Sequence, residues 1–324
     1  MELDLDPDQQ ALVQALEHLT QPFLEAPRQG VFAPYAPKLQ ALLREGEFDA
    51  VQLQPGLGPL EAALVVDVVG RAPYLAETGV SVLVAPALLG RTVPGPVAVV
   101  DEVARPARFL SVARHAFVRR GADVVLVEVA ADAVEPLSGM FAYPYGRFKA
   151  APDLTAGEPL PADKRTDFDR LRRVALAAEA ASAMTAALEA TIEYVTHRRQ
   201  FGQPLGAFQA VQHRISRNAV HARGARLLAL EAAWKGDALT AALAAVYAQR
   251  FAGEAIEDLH QFNGALGITL DHPLHYWTYR LLALQGELGG LHVSAEAAAA
   301  EVWPEGAPPP PGPEPATAYS QLGW

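Results

Sequence analysis

The sequence predicts a mainly α fold with a small β-domain set between two helical regions. Three observations carry this expectation. Residues 165 to about 300 hold long runs with apolar side chains at helical spacing. Residues 83–164 change to short valine-rich segments separated by Gly, Pro or Asp. A shorter helical pattern precedes both. The expected organisation is an N-terminal helical domain (1–82), a middle β-domain (83–164), a C-terminal four-helix bundle (165–302) and a Pro-rich flexible tail (303–324).

Each element has a local reason. Asp6 followed by Pro7 is a helix N-cap and first-turn pair, and Leu12, Val13, Leu16 and Leu19 continue it periodically. A second helix is expected from Gly58-Pro59, with Leu60, Ala63, Leu64 and Val68 on one face. SVLVAP (81–86), PVAVVDE (96–102), ARHAFV (113–118) and ADVVLVEVA (122–130) read as strands, and the glycines and prolines from Gly139 to Pro161 mark an irregular exit. In the bundle, Leu171, Val174, Ala178, Ala181, Thr185, Leu188, Ile192 and Val195 follow one helical repeat. Phe208, Val211, Ile215 and Ala219 begin another, and Leu239, Leu243, Val246, Ile256 and Leu259 a third. A fourth is expected from Pro273 to Ala299, with a break at Gly289-Gly290. The run APPPPGPEP suits a polyproline-like extension.

Composition narrows the function. The 324 residues are 51% apolar and 19% charged, as in globular proteins. No apolar run reaches the roughly 18 residues of a membrane span. The N-terminus lacks the basic start and apolar run of a signal peptide, so a cytoplasmic protein is the expectation. With no cysteine, disulfides, thiolate nucleophiles and cysteine metal sites are excluded. A net charge of −11 argues against nucleic-acid binding. Lys164 to Arg226 nevertheless holds 11 basic and 5 acidic residues, a segment suited either to a phosphorylated ligand or to a solvated helix face. P-loop, His-Glu-x-x-His and Gly-x-Ser-x-Gly patterns are absent, and His272 with His275 would need other converging ligands to hold a metal, so no metal site is expected.

Two stretches interrupt apolar helices with unusual polar residues. In YVTHRRQFGQPLGAFQAVQHRIS (194–216) a helix ends in two arginines, turns, and restarts at Phe208. Arginine's planar fork suits a pyrophosphate. In DLHQFNGALGITLDHPLHYW (258–277), Gln261 precedes Gly264 and Gly267, whose missing side chains allow close approach to the backbone.

These stretches resemble the acyl-CoA dehydrogenase family. Tyr194, Arg198, Phe201, Gly202, Phe208, Gln209, Gln212 and His213 match its Tyr-x3-Arg-x-x-Phe-Gly and Phe-Gln-x-x-Gln-His pattern. AAW (232–234), FAG (251–253) and Gln261-x-x-Gly264-x-x-Gly267 follow at the family's spacing, and the opening LDPDQQALVQAL and GLGPLEAALVVDVVGRA resemble its N-terminal domain. The resemblance covers most of the chain and is densest from 165 to 285. It implies a helical domain, a small β-domain and a four-helix bundle, with FAD held between subunits. It further implies that Arg198, Gln200, Phe201, Gln209, Gln261 and Gly264 reach the flavin of a neighbouring subunit, with acyl-CoA as substrate and an electron-transfer flavoprotein as acceptor. The bland alternative has Phe201 and Phe208 packing the bundle and Arg198 in a surface ion pair. Arg173 falls where the family has an arginine near the acyl-CoA.

The sequence also departs from the family. The reaction needs a carboxylate to take an α-proton while a hydride moves to the flavin. Ungapped counting from Gln261 places Leu288 at the usual base, with Glu287 adjacent. The alternative base position, on the first bundle helix, is Arg172. No Thr-Glu-Pro-x-x-Gly-Ser-type segment is present in the β-domain. These losses resemble the short subunits of heteromeric acyl-CoA dehydrogenases of steroid side-chain breakdown, as does GITLDHPLHYWTYR (267–280), where Asp271 stands in for a glutamate. Asp271 would otherwise be a helix N-cap before Pro273. The leading expectation is therefore an FAD-associated subunit whose homologous partner supplies the base. One alternative is an active homo-oligomer using Glu287. The other is a non-enzymatic scaffold or acyl-CoA-binding module.

Overall fold

The computed structural model describes residues 4–27, 33–139 and 142–303. The expected Pro-rich tail lies outside the described residues apart from Trp303. Helix α1 (Pro7–Thr20) starts as the sequence predicts: Asp6 accepts from the Gln9 amide at 2.8 Å, and Gln9 returns the bond to complete a capping box. Helix α2 (Pro37–Glu45) was not anticipated, whereas α3 (Pro59–Val69) begins at the predicted Gly58-Pro59.

SVLVAP is not a strand. Gly79–Val84 is a π-helical turn running into α4 (Ala85–Leu89), and Val82, Leu83, Val84 and Ala85 are fully buried. A short apolar run enclosed on all sides has no period by which to separate strand from helix. Glu77 decides the outcome by accepting the amides of Val80 (2.6 Å) and Ser81 (2.7 Å) at the head of the turn.

The β-region then follows. Strands β1 (Val97–Val100), β3 (His115–Arg120), β4 (Asp123–Glu128) and β7 (Glu158–Pro159) form a sheet in the order β1-β3-β4-β7. Only the β1–β3 pair is parallel among these. Strands β2 (Ala107–Arg108), β5 (Val134–Leu137) and β6 (Tyr145–Phe148) form a second sheet, ordered β2-β6-β5. The stretch expected to be irregular thus contributes two strands, β6 and β7.

Helices α5 (Arg165–His197), α6 (Gln209–Lys235), α7 (Ala238–Gly267) and α8 (Leu274–Gly286) pack as the predicted bundle, with α9 (Gly290–Val302) against α7. The predicted fourth helix breaks where the sequence suggests, at a turn over Glu287–Gly289. Buried alanines on α5 (Ala177, Ala181, Ala187) and α7 (Ala241, Ala245, Ala248) let these helices approach closely. Gly236, left-handed at φ 68°, ends α6, and Asp237 caps α7 by accepting from the Thr240 amide at 2.8 Å.

Buried polar contacts fasten the N-terminal region to the bundle. Arg280 of α8 donates to the carbonyls of Gly70 (3.1 Å), Ala72 (2.8 Å) and Pro73, and Trp277 Nε1 donates to the Arg71 carbonyl at 3.0 Å. Asp67 of α3 receives Arg226 of α6 at 2.7 Å. Removing one partner of such a pair would strand a buried charge, which is why these contacts fix orientation more than they add net stability. Among the described residues, no helix is long and apolar enough to cross a membrane.

Candidate functional site

Two places collect the residues singled out by the sequence. The first is one end of the bundle. Helix α5 stops at His197, and Arg199–Gln200 pairs with Gln203–Pro204 as a two-residue-stranded hairpin. Its tip is Phe201-Gly202, both left-handed (φ 54° and 84°). The hairpin is pinned to the helix end by the Leu205 amide, which donates to the Arg198 carbonyl at 2.8 Å. The Phe201 side chain is 88% exposed and touches the edge of Phe208, with ring centroids 6.2 Å apart.

The second stretch arrives at the same end. Asn263 Nδ2 donates to Thr191 Oγ1 at 2.9 Å, joining α7 to α5. Tyr194 meets the His272 ring edge-on at 5.5 Å, joining α5 to the start of α8. Buried Asp258 receives Arg214 Nε at 2.9 Å and Arg217 at 3.2 Å, joining α7 to α6. These arginines hold the Asp258 carboxyl below the ordinary carboxylate range against the opposing effect of burial. Gly264 breaks the helical backbone (φ 56°, ψ −141°), and a Cβ built there meets nothing within 4 Å. Arg198, Gln200, Phe201, Gln209, Gln261 and Gly264 are all exposed or lie at this exposed end. Arg198 also lines a cleft of about 540 Å³ with Glu193, Tyr194, His197 and His272. Asp271 does not cap α8, whose N-cap position is Pro273; the Leu274 amide donates instead to His272 Nδ1 at 3.2 Å.

The second place is a cavity of about 310 Å³ where the β-region, α5 and the turn after α8 meet. That volume is at the lower limit for small-molecule sites. Glu287 is on its wall, as is Leu288. Its carboxylate accepts from Arg108 Nε at 2.9 Å, while Arg108 Nη1 donates to Glu179 of α5 at 2.8 Å. Tyr143 donates its hydroxyl to Glu179 at 3.2 Å and lies under the guanidinium at 4.6 Å. Burial opposes the Arg108 charge, but Glu179 and Glu287 overrule it and hold the guanidinium firmly protonated. Glu77, 2% exposed, faces the same cavity, and burial pushes its carboxyl up to about 7.

Arg172 is also on this wall and makes a bidentate pair with Asp101 (2.9 and 2.6 Å). It bolts β1 to α5. Arg173 is half-buried on α5, beyond the residues lining the cavity. Sequence reasoning missed Arg108, Glu179, Glu77 and Tyr143. One signal was available: Glu179 is the sole charged residue in the apolar run from Val174 to Thr185. Glu179 is separated from Arg198 by 19 residues of α5, which is about 28 Å of helix. The bundle end and the cavity of one chain are therefore distant from each other.

Comparison with known proteins agrees with this architecture. Residues 169–299 match the family model for the acyl-CoA dehydrogenase C-terminal domain. Acyl-CoA dehydrogenase IpdE2 of Mycobacterium tuberculosis is 34% identical over 107 residues, 33% of this chain and 34% of that protein. The chain thus aligns with about a third of the length of such curated relatives. Among solved structures, the ChsE4-ChsE5 complex of Mycobacterium tuberculosis superposes with a TM-score of 0.76 at 19% identity, covering 93% of this chain and 99% of that one. Butyryl-CoA dehydrogenase of Megasphaera elsdenii gives a TM-score of 0.73 at 17% identity, covering 93% and 100%. Residues 169–299 thus match an acyl-CoA dehydrogenase C-terminal domain, and the fold of the chain is like that of solved acyl-CoA dehydrogenases.

Proposed function

We propose that this chain is a subunit of an FAD-dependent acyl-CoA dehydrogenase, and that it lends its bundle end to a flavin held between subunits while a homologous partner supplies the base. The observation that carries this reading is the separation of about 28 Å along α5 between that end and the chain's own cavity. A corner so far from its own cavity serves a ligand seated mainly on another subunit. Exposed Phe201 and the open space over Gly264 favour the same reading, because both leave room for a ligand that a lone chain does not fill.

The residues present fit FAD at the bundle end. Arg198 offers a planar fork for the pyrophosphate, Gln209 and Gln261 offer amide donors and acceptors, and Gln200 extends the polar rim. Gly264 permits close backbone approach, and Phe201 covers apolar ligand surface. FAD, when bound, supplies the hydride acceptor for α,β-dehydrogenation of an acyl-CoA thioester. The electron-transfer flavoprotein assigned by resemblance would re-oxidise the assembly.

A second reading, an active homo-oligomer using Glu287, is favoured by one observation. The left-handed residue after Glu287 turns that carboxylate onto the cavity wall, despite its being one place out of register in the sequence. Against it, Glu287 Oε1 already accepts a guanidinium N–H, which ties the carboxylate to this chain's own Arg108.

Arg198→Gln tests the leading reading at its contact residue. The flavin-loaded assembly should lose roughly tenfold in flavin affinity while keeping its oligomeric state, since a two-pronged charged donor is replaced by a neutral amide. Unchanged flavin retention would remove Arg198 from the site and leave the reading without its principal donor.

A further inference from the structure

We propose that Arg108 is a latch that seals this chain's own junction cavity, holding Glu179 and Glu287 so that no acyl thioester enters it. The proposal deepens the partner-dependent reading and rests on it. It also explains why a carboxylate brought onto the cavity wall would be idle in this chain.

The contact is assembled from three parts of the fold. Arg108 comes from β2, Glu179 from the middle of α5, and Glu287 from the turn after α8, 71 and 179 residues from Arg108. All three side chains are largely buried, at 14%, 14% and 28% exposure. An arginine fork reaching two separate carboxylates is geometrically demanding, and two strained backbone positions accompany it. Phe109 and Leu288, the residues immediately after Arg108 and Glu287, are both left-handed at φ 62° and 56°. For a non-glycine residue that conformation is strained, and such strain persists only where the surroundings over-determine it.

The surroundings do so at both ends. Phe109 is buried edge-on against Tyr143 at 5.4 Å. The turn bearing Glu287 is held by Gln249 of α7, buried at 3% exposure, whose Nε2 donates to the carbonyls of Leu284 (3.2 Å) and Glu287 (3.0 Å). Ser294 donates to Gln249 Oε1 at 2.7 Å, so the amide is fixed in turn. Gly79 clears the space for Glu179: a Cβ there would lie 2.3 Å from Oε1. Two strained turns, a dedicated glutamine and a glycine gap thus converge on one guanidinium.

The test removes the latch while leaving one carboxylate, that of Glu287, without its partner and not two. Arg108→Ala with Glu179→Gln deletes one positive and one negative group, whereas Arg108→Ala alone would leave two buried carboxylates facing each other. Arg108→Lys keeps the charge but loses the fork, and serves as the gentler variant should the pair fold poorly. Butyryl-CoA is titrated calorimetrically into each full-length protein in its native assembly, with thermal melting as the check on folding. The expected result is about tenfold or greater gain in thioester affinity for the double variant, corresponding to one new site per copy of this chain, and a smaller gain for Arg108→Lys. Folded variants that bind no better than the wild type would overturn the latch and leave the partner-dependent reading standing. Wild-type chain that binds the thioester and bleaches flavin in a Glu287-dependent way would overturn both.

Discussion

Glu77 shows how much one buried residue can report. Its two oxygens accept the Val80 and Ser81 amides and the Ser81 hydroxyl, yet burial and the nearby Glu179 raise its carboxyl to about 7. In the unfolded chain the same group titrates near 4.5. Between those values the folded state holds a proton that the unfolded state releases, so stability falls as pH rises from about 4.5 to 7. Glu77→Gln should abolish that slope, which for one group amounts to at most about 3 kcal/mol over the interval. Urea titrations at pH 5 and pH 7.5 check it: the wild type should be the less stable at pH 7.5, and the variant should lack the Glu77 part of that difference. An undiminished difference in the variant would assign the slope to another group.

At the scale of elements, the turn between α8 and α9 is the most instructive. Leu288, Gly289 and Gly290 are consecutive left-handed residues, and the carbonyls around them are satisfied by Gln249. Gln249→Leu removes the side-chain donor to the Leu284 and Glu287 carbonyls and leaves the buried Ser294 hydroxyl without its acceptor, and should destabilise the protein by about 2 kcal/mol, with Ser294→Ala costing about half as much. Thermal melting checks this; a Gln249→Leu variant as stable as the wild type would show that the turn holds itself. This turn also marks where the sequence stops being legible. Asp6-Pro7 and Gly58-Pro59 announce their helices because cap chemistry is local. The Arg-x-x-Phe-Gly hairpin is legible for the same reason. The turn that bears Glu287 combines a left-handed leucine with a hydrogen bond to the Glu287 carbonyl from a glutamine 38 residues earlier, and no local pattern encodes it. SVLVAP failed for a related cause, since its helical state is decided by burial and by Glu77. Arg108 lies in a two-residue strand whose partners come from distant segments, and only lone Glu179 on α5 hinted at them.

For the molecule as a whole, the bundle end and the cavity lie about 28 Å apart along α5, so one chain does not bring them together. The end is open, ringed by exposed apolar side chains such as Phe201 and Ile268 (76% exposed), and carries Arg198 and Arg217 in a chain of net charge −11. The cavity is small and charged, with Arg108, Glu179 and Glu287 on its wall. Under the proposed function, such a chain completes a neighbour's site and not its own. The most direct measurement is the visible absorption spectrum of the chain, purified alone and then co-expressed with a homologous acyl-CoA dehydrogenase chain, before and after acyl-CoA is added. The partner-dependent account predicts a colourless or flavin-poor chain alone and a yellow complex whose flavin bands bleach with substrate. Flavin bands in the lone chain that bleach with acyl-CoA, and fail to bleach after Glu287→Gln, would contradict it.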